Sequence, residues 1–515
     1  MKVTFISPYS DITAFGVRSI AAFVKRAGFE VRLIFLPDQG FDSKAASGSI
    51  YRFSDSTLKQ TIELCGDSHL IGISLFTCHF DRAVQLTKAL RSRLDTPLMW
   101  GGIHPTIKPD ESLQHCDMVC MGEGEDAVTE LLRKMKNKEN YLHTNNFWFK
   151  HNGGIIKNEL RPLKEDLNSL PFPDYSTENS YIWDKHLNKI IPLDASALER
   201  FLFKDPLSKK PSYMTMTTRG CPHRCSYCMS FRGMYEGQKY LRRRSPDHVV
   251  EELERMVKKY NFIEGVQISD DSFFVLTTDE MKTFSKLYKE KIGLPFRCLG
   301  SPSTITEEKL SYLVDAGLYE IQMGIETACD RTRKLYRRTT TNETVLQAAK
   351  NINKFKKSVT AIYDFILDNP YETKEDIAET LKFILKIPRP FHLQLFSLIF
   401  FPGTELYTIA KRDGIITDEE KDVYRTQFQF IQIRYLNLIF YLFNYGVPNF
   451  LIKLLLNRYM IKIFERESIS KILQKIVTVI KYIKRWNPSF SSSELILKKK
   501  AGESCSHSIS STQSK

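Results

Sequence analysis

The chain of 515 residues has little cysteine, ten in all, and still less tryptophan, four. Cysteine this sparse excludes a disulfide scaffold. The opening "MKVTFISPYS" lacks the long apolar core of a secretory signal and reads as a strand from residue 2. Together these point to a reducing, cytoplasmic setting, where clustered cysteines mean metal binding or catalysis. Acidic residues are in deficit, 60 Asp and Glu against 74 Lys and Arg, for a net charge of +14. That balance suits an anionic partner, whether nucleic acid, a phosphorylated or carboxylated substrate or an acidic membrane surface, and equally suits a solvated basic face. The most apolar stretch, "YLNLIFYLFNYGVPNFLIKLLL", is split by Gly446 and Pro448. Each piece is shorter than the roughly 20 residues of a spanning helix. The stretch therefore reads as buried helices of a small bundle, with peripheral membrane contact left open.

What is present is ordinary soluble composition, 42% hydrophobic and 26% charged, with material for more than one core. Over the first 140 residues short apolar strands alternate with helices. "KVTFISP", "FEVRLIFLP", "HLIGISLFT", "PLMWGG" and "MVCMGEGE" are the strands; "GVRSIAAFVKRAG" and "DRAVQLTKALRSRL" are helices between them. This predicts a doubly wound α/β domain whose ligand lies beyond the carboxyl ends of its strands. Residues 141–207 lose the rhythm, and the proline-rich "NSLPFPDYS" reads as an extended linker. From 208 to 414 a second alternation gives six β/α units, an incomplete TIM-type barrel with catalytic groups at the carboxyl ends of its strands. Its first helix should start at Ser245 as N-cap with Pro246 in the first turn. Residues 415–488 read as mostly helical, and the serine-rich tail 489–515 as lacking fixed structure.

The sharpest feature is "RGCPHRCSYC", which places Cys221, Cys225 and Cys228 together after the first barrel strand. At about 2% cysteine this spacing arises by chance with probability on the order of 0.004, so it calls for a function. Zinc usually takes four ligands as two separated pairs, and no second pair with that spacing follows. His223 is a fourth donor only within a tight loop. An iron–sulfur cluster takes thiolates, and a 4Fe-4S cluster held by three leaves one iron open.

"CPHRCSYC", with aromatic Tyr227 before the last cysteine, resembles the radical S-adenosylmethionine (SAM) signature. The resemblance implies that the open iron chelates the amino and carboxylate groups of SAM and that its reductive cleavage yields a 5′-deoxyadenosyl radical. It also implies a donor of electrons such as flavodoxin or ferredoxin. By the same resemblance "SDDSF", with Asp270 and Asp271, and "GIET", with Glu326, belong near SAM; Arg297 and Ser301 are weaker candidates. A helix N-cap and an ordinary salt bridge are the plainer readings of the acids. "GGIHPTIKPDESL", "GEGEDAV" and "LNSLPFPDYS" are similar to the cobalamin-binding domain and linker that precede the barrel in one radical SAM subfamily. This implies cobalamin near Asp11, Thr13, Gly16, Ser74, Gly101, Gly102, His104, Gly122, Glu123 and Gly124. Many such domains carry Asp-x-His-x-x-Gly, with the His on cobalt; here "DITAFG" has Thr13 at that place. The cobalt is then expected to lack a histidine beneath it, and His104 is the one substitute to consider.

The subfamily contains carbon methyltransferases and the anaerobic magnesium-protoporphyrin monomethyl ester cyclase. The expected activity is methylation of an unactivated carbon on a small-molecule or lipid-like substrate. The alternatives are cyclisation or another rearrangement without methyl transfer, a transfer-RNA methylthiotransferase, and a non-enzymatic cobalamin or iron–sulfur sensor. The methylthiotransferase needs a second three-cysteine cluster, for which Cys65, Cys78, Cys116 and Cys120 are poorly arranged. That argues against nucleic acid as partner.

Overall fold

The computed structural model describes residues 1–37, 50–426 and 431–466. The tail expected at 489–515, and the part of the helical region beyond 466, lie outside the described residues.

The amino-terminal half is built on one nine-stranded sheet. Its strands are β1 (Lys2–Ser7), β2 (Glu30–Phe35), β3 (Leu70–Ser74), β4 (Leu98–Gly101), β5 (Met118–Cys120), β6 (Phe147–His151), β7 (Gly154–Lys157), β8 (Ser180–Asp184) and β9 (Lys189–Pro192). Their order is β7-β6-β5-β4-β3-β1-β2-β8-β9. β1 pairs in parallel with both β2 and β3, so the strand order reverses between β1 and β3. That reversal opens a crevice at the carboxyl ends, where open α/β sheets bind ligands. β1 and β2 are buried almost throughout, as expected of parallel strands covered by helices on both faces. Phe5, Val17, Ala21, Leu33 and Val128 fill one side; Ile6, Ile34, Ile73, Leu86 and Trp100 fill the other.

Residues 141–207, expected as a linker, contribute four strands to this sheet. β6 and β7 form a hairpin that pairs antiparallel with β5. β8 joins β2 in parallel, and β9 folds back on β8. Each is only four or five residues long, too short for a period-two pattern to stand out. The proline-rich stretch is extended and tied to the helix Phe15–Arg26. Asp174 pairs with Lys25 at 2.7 Å, and the fully buried Arg18 guanidinium lies 3.8 Å from the centre of the Tyr175 ring.

The second half is a six-stranded, all-parallel sheet of β10 (Ser212–Thr215), β13 (Gly265–Ile268), β14 (Phe296–Gly300), β15 (Leu318–Glu326), β16 (Thr360–Leu367) and β17 (His392–Ser397), in chain order. A two-stranded ribbon, β11 (Thr218–Arg219) and β12 (Arg242–Arg243), stands apart from it. The helix Pro246–Lys259 starts as expected, with Ser245 Oγ accepting from the His248 N–H. β10 and β17 do not pair, so this is a partial (β/α)6 barrel that does not close strand to strand. The helix Tyr435–Asn444 covers the β17 edge, and the Asn444 amide exchanges hydrogen bonds with the Leu393 backbone at 2.7 and 2.8 Å. The chain then breaks at Gly446, in the left-handed region with φ +70°, and resumes as the short helices Asn449–Leu455 and Arg458–Phe464. Among the described residues no helix is long and apolar enough to cross a membrane.

Candidate functional site: a cysteine loop facing a glycine-walled cavity

Cys221, Cys225 and Cys228 lie on the loop between β11 and β12, over the carboxyl ends of the barrel strands. Hydrogen bonds hold the loop to the rim, among them His223 Nε2, 2.8 Å from Ser301 Oγ just beyond β14, and Ser226 Oγ, which donates to the Leu335 carbonyl at 2.6 Å. His223 is thus a brace rather than a fourth metal donor. Burial pushes the Cys221 thiol up to about 11 and Cys228 to about 12; Cys225 and Asp271 add to both shifts. One cation stands close, with Arg338 Nη1 at 3.9 Å from Cys225 Sγ. For the Cys221 and Cys228 thiols to ionise, a cationic group must enter beside them. Among the described residues no three His, Cys, Asp or Glu side chains converge on one point, as a single ion would need. A four-iron cluster binds thiolates at separate corners instead, so the donor set fits it.

The residues expected at SAM fall into three groups. Tyr227, Glu326 and Arg338 form a half-buried cluster against Cys225. Arg338 Nη1 donates to Tyr227 Oη at 3.0 Å and lies 3.8 Å from Glu326 Oε1. Glu326 ends β15 in the left-handed region, φ +68°. Burial raises its carboxyl, against the pull of Arg338. Asp271 is exposed beside Cys221 and Cys228. Ser301 holds His223, as above. Two candidates do other work. Asp270 is fully buried, and it accepts the Thr217 N–H at 2.6 Å, the Thr218 N–H at 3.1 Å and the Thr217 hydroxyl. It therefore shapes the start of the cysteine loop and has no free oxygen for a ligand. Arg297 lies low in the barrel, ion-paired to Glu320 at 2.6 Å and hydrogen-bonded to Gln322. At the end of β13, Gln267 Oε1, Ser269 Oγ and Ser272 Oγ are buried without a protein partner. Such orphaned groups suit a polar cofactor at the barrel mouth.

A cavity of about 370 Å³, and about 1630 Å³ with its open mouth, lies between the two sheets. From the first sheet it is lined by Gly16, Ser74, Gly101, Gly102 and the 122–124 loop, and from the barrel side by Arg219, Gly220, Tyr235 and Tyr240. A Cβ on Gly16 would meet nothing within 4 Å, and one on Gly101 nothing closer than 3.7 Å. These two leave the strand ends bare for a flat ligand to approach. The remaining glycines serve the protein. A Cβ on Gly102, φ +99°, would strike the Leu75 carbonyl at 2.9 Å, and one on Gly122, φ +67°, would lie 2.0 Å from Tyr235 Oη. A bare, largely apolar slot at the crevice of this sheet fits a corrin.

Glu123 and Glu125 join the two halves. Arg219, two residues before Cys221, pairs with Glu125 at 2.6 Å and with Glu123 at 3.3 Å. Arg242 pairs with Glu123 at 2.6 Å, and Ser19 Oγ donates to Glu125 at 2.8 Å. Burial favours the neutral acid, but Arg219 and Ser19 outweigh it and hold the Glu125 carboxyl below its usual range. Glu123, expected at cobalamin, lines the cavity while it makes these ion pairs. Nothing in the sequence signalled Arg219, Arg242 or Glu125 except position, arginines on either side of a cysteine motif and an acid beside a glycine loop; nothing in it signalled Arg338.

Asp11, Thr13 and His104 do not line the cavity. The Asp11 carboxylate accepts both the N–H and the hydroxyl of Thr13, at 2.8 and 2.6 Å, which makes a local turn. His104 is sealed, with Nδ1 3.3 Å from Thr77 Oγ1 and its ring between Phe80 and Tyr424. Burial, with Lys108 nearby, lowers its pKa to about 4 against the pull of Glu419. It does not replace the missing cobalt histidine. Cys65, Cys116 and Cys120 are separately buried, each thiol pushed up to about 12 by burial. No second cysteine cluster of the methylthiotransferase kind exists among the described residues.

Residues 1–132 match the B12 binding domain family, and residues 215–384 match the Radical SAM superfamily. The chain is 24% identical over 354 residues to an uncharacterized methyltransferase of Pyrococcus horikoshii, covering 68% of this chain and 71% of that one. It is 26% identical over 384 residues to the bacteriochlorophyllide d C-8(2)-methyltransferase of Chlorobaculum tepidum, covering 72% and 74%. Among solved structures it resembles the cobalamin-dependent SAM radical enzyme OxsB, with TM-score 0.65 at 13% identity over 98% of this chain and 80% of that one. It also resembles the radical SAM methyltransferase TsrM of Kitasatospora setae, with TM-score 0.62 at 16% identity over 80% and 76%. These likenesses concern the fold.

Proposed function

Because this chain is a radical SAM enzyme with a B12-binding domain, we propose that it transfers a methyl group to a carbon of a small organic substrate bound at the barrel mouth. When bound, the cluster with SAM supplies a radical that removes hydrogen, and cobalamin supplies the methyl group. Cys221, Cys225 and Cys228 hold the cluster, and Arg338 balances part of the thiolate charge. Tyr227 and Glu326 set the position of Arg338, and in this reading Asp271 would accept from the amine of SAM. Gly16 and Gly101 leave the floor of the cobalamin slot bare. The single observation that carries the reading is that the cavity beginning at these glycines reaches Gly220, the residue before Cys221. A shared wall keeps two reactive centres near one substrate, and effective coupling depends on such closeness. The methyltransferase names of two relatives support the same reading. Electrons come from a flavodoxin or ferredoxin in this scheme.

The test is a turnover mixture with anaerobically reconstituted protein, cobalamin, methyl-deuterated SAM and small-molecule extract from cells lacking the gene. The expected result is a product carrying the labelled methyl, formed alongside 5′-deoxyadenosine and S-adenosylhomocysteine. Substrate-dependent 5′-deoxyadenosine with an unlabelled product would replace methyl transfer by cyclisation or rearrangement.

A further inference from the structure

The helices that cover the barrel edge leave an apolar surface of their own. Helix Asn449–Leu455 docks through Ile452, fully buried. Phe450 and Leu454, one turn apart, stay 64% and 62% exposed. In helix Arg458–Phe464 no residue is buried, and Tyr459 is 75% exposed. Large side chains left this open over two adjacent helices mark an interaction surface. Its charge has one sign. Lys453, Arg458, Lys462 and Arg466 are all exposed, and none forms an ion pair among the described residues. The one acid between Asn449 and Arg466 is Glu465, which turns inward to accept the Leu436 N–H at 2.8 Å. Downstream, residues 467–515 carry nine Lys and Arg against three Glu in sequence.

We propose that this face docks on an anionic lipid bilayer, lying in its interface with Phe450, Leu454 and Tyr459 inserted and the cations at the headgroups. Apolar side chains interleaved with exposed cations are what an acidic interface selects. A second copy of the chain is a poor occupant, because a two-fold contact would set basic face against basic face. The inference is independent of the methyl-transfer reading, since it concerns the outside of the barrel.

The test is co-sedimentation of the full reconstituted chain with vesicles of phosphatidylcholine, alone or mixed with phosphatidylglycerol. Binding should be on the order of tenfold or more tighter to the anionic vesicles and should weaken with salt. The triple variant Phe450→Ser, Leu454→Ser, Tyr459→Ser should lose on the order of tenfold. Lys453→Gln with Arg458→Gln and Lys462→Gln should remove most of the anionic preference. Far-ultraviolet circular dichroism and cluster content should stay at wild-type level, because every substituted side chain is exposed. Equal binding to both vesicle types would overturn the proposal, as would anionic binding unchanged in both triple variants. Lipid-free dimerisation abolished by the Ser variant would assign the face to a second copy and overturn it too.

Discussion

The Arg219–Glu125 pair lets the link between the two halves be measured. Glu125 keeps 8% of its side-chain surface exposed and Arg219 25%, with their atoms 2.6 Å apart. Removing one partner of a buried pair costs about 3–5 kcal/mol. Arg219 is partly wet and keeps Glu123 at 3.3 Å, so Glu125→Gln should cost less, about 2–3 kcal/mol. For a unit of this size that is a fall in melting temperature of roughly 4–12 °C. The pair's contribution also has a pH signature. Because the folded Glu125 carboxyl titrates below its unfolded value, the stabilisation is complete above the ordinary glutamate range and is lost as pH falls through the folded value. The variant and the parent should therefore differ at neutral pH and converge in acid. Thermal melts under anaerobic conditions, in a cycle with Arg219→Met, provide the assay. The double variant should lose at least about 1 kcal/mol less than the sum of the two singles. Additive losses, or a Glu125→Gln shift of under about 1 °C, would refute a coupling ion pair at this junction.

Two further outcomes follow from the buried histidine and the threonine turn. With Thr13 tied to Asp11 and His104 sealed away, electron paramagnetic resonance of the protein with reduced cobalamin should show no nitrogen splitting from an axial ligand, and His104→Ala should leave the spectrum unchanged; a nitrogen triplet that this variant abolishes would contradict the assignment. His104 has a folded pKa of about 4, below its unfolded value of about 6.5, so it contributes stability above pH ~6.5 that drains away as pH falls toward 4, up to about 3 kcal/mol. His104→Gln should flatten acid-side stability over that window; an unchanged slope in urea melts would count against a neutral, buried imidazole.

The sequence was most readable where chemistry forces a local pattern. Three thiolates on one cluster must lie close in the chain, so Cys221, Cys225 and Cys228 could be read directly. Parallel strands buried on both faces, such as β1 and β2, are continuous apolar runs, so the alternation of the first domain was plain. Ser245 and Pro246 mark a helix start through local backbone chemistry alone. The four strands of residues 141–207 were missed because each is short, and because β8 joins the sheet through β2, some 150 residues earlier. Asp270 and Glu123 were placed in the right region, but the protein partners each makes there were not legible. Their type and position suit a ligand, yet in the fold the first caps a loop and the second pairs with arginines from the other half. Arg338 was invisible because its partners, Cys225, Tyr227 and Glu326, are distant in sequence and meet only at the barrel rim.

The most direct test of the whole account is 5′-deoxyadenosine formation by the anaerobically reconstituted chain with SAM and dithionite, measured by liquid chromatography with mass spectrometry. The wild-type chain should release it and carry about four irons, while Cys221→Ala, Cys225→Ala and Cys228→Ala should each abolish it with their iron content falling in step. Cleavage that persists in all three cysteine variants at full iron load would contradict a radical centre on this loop.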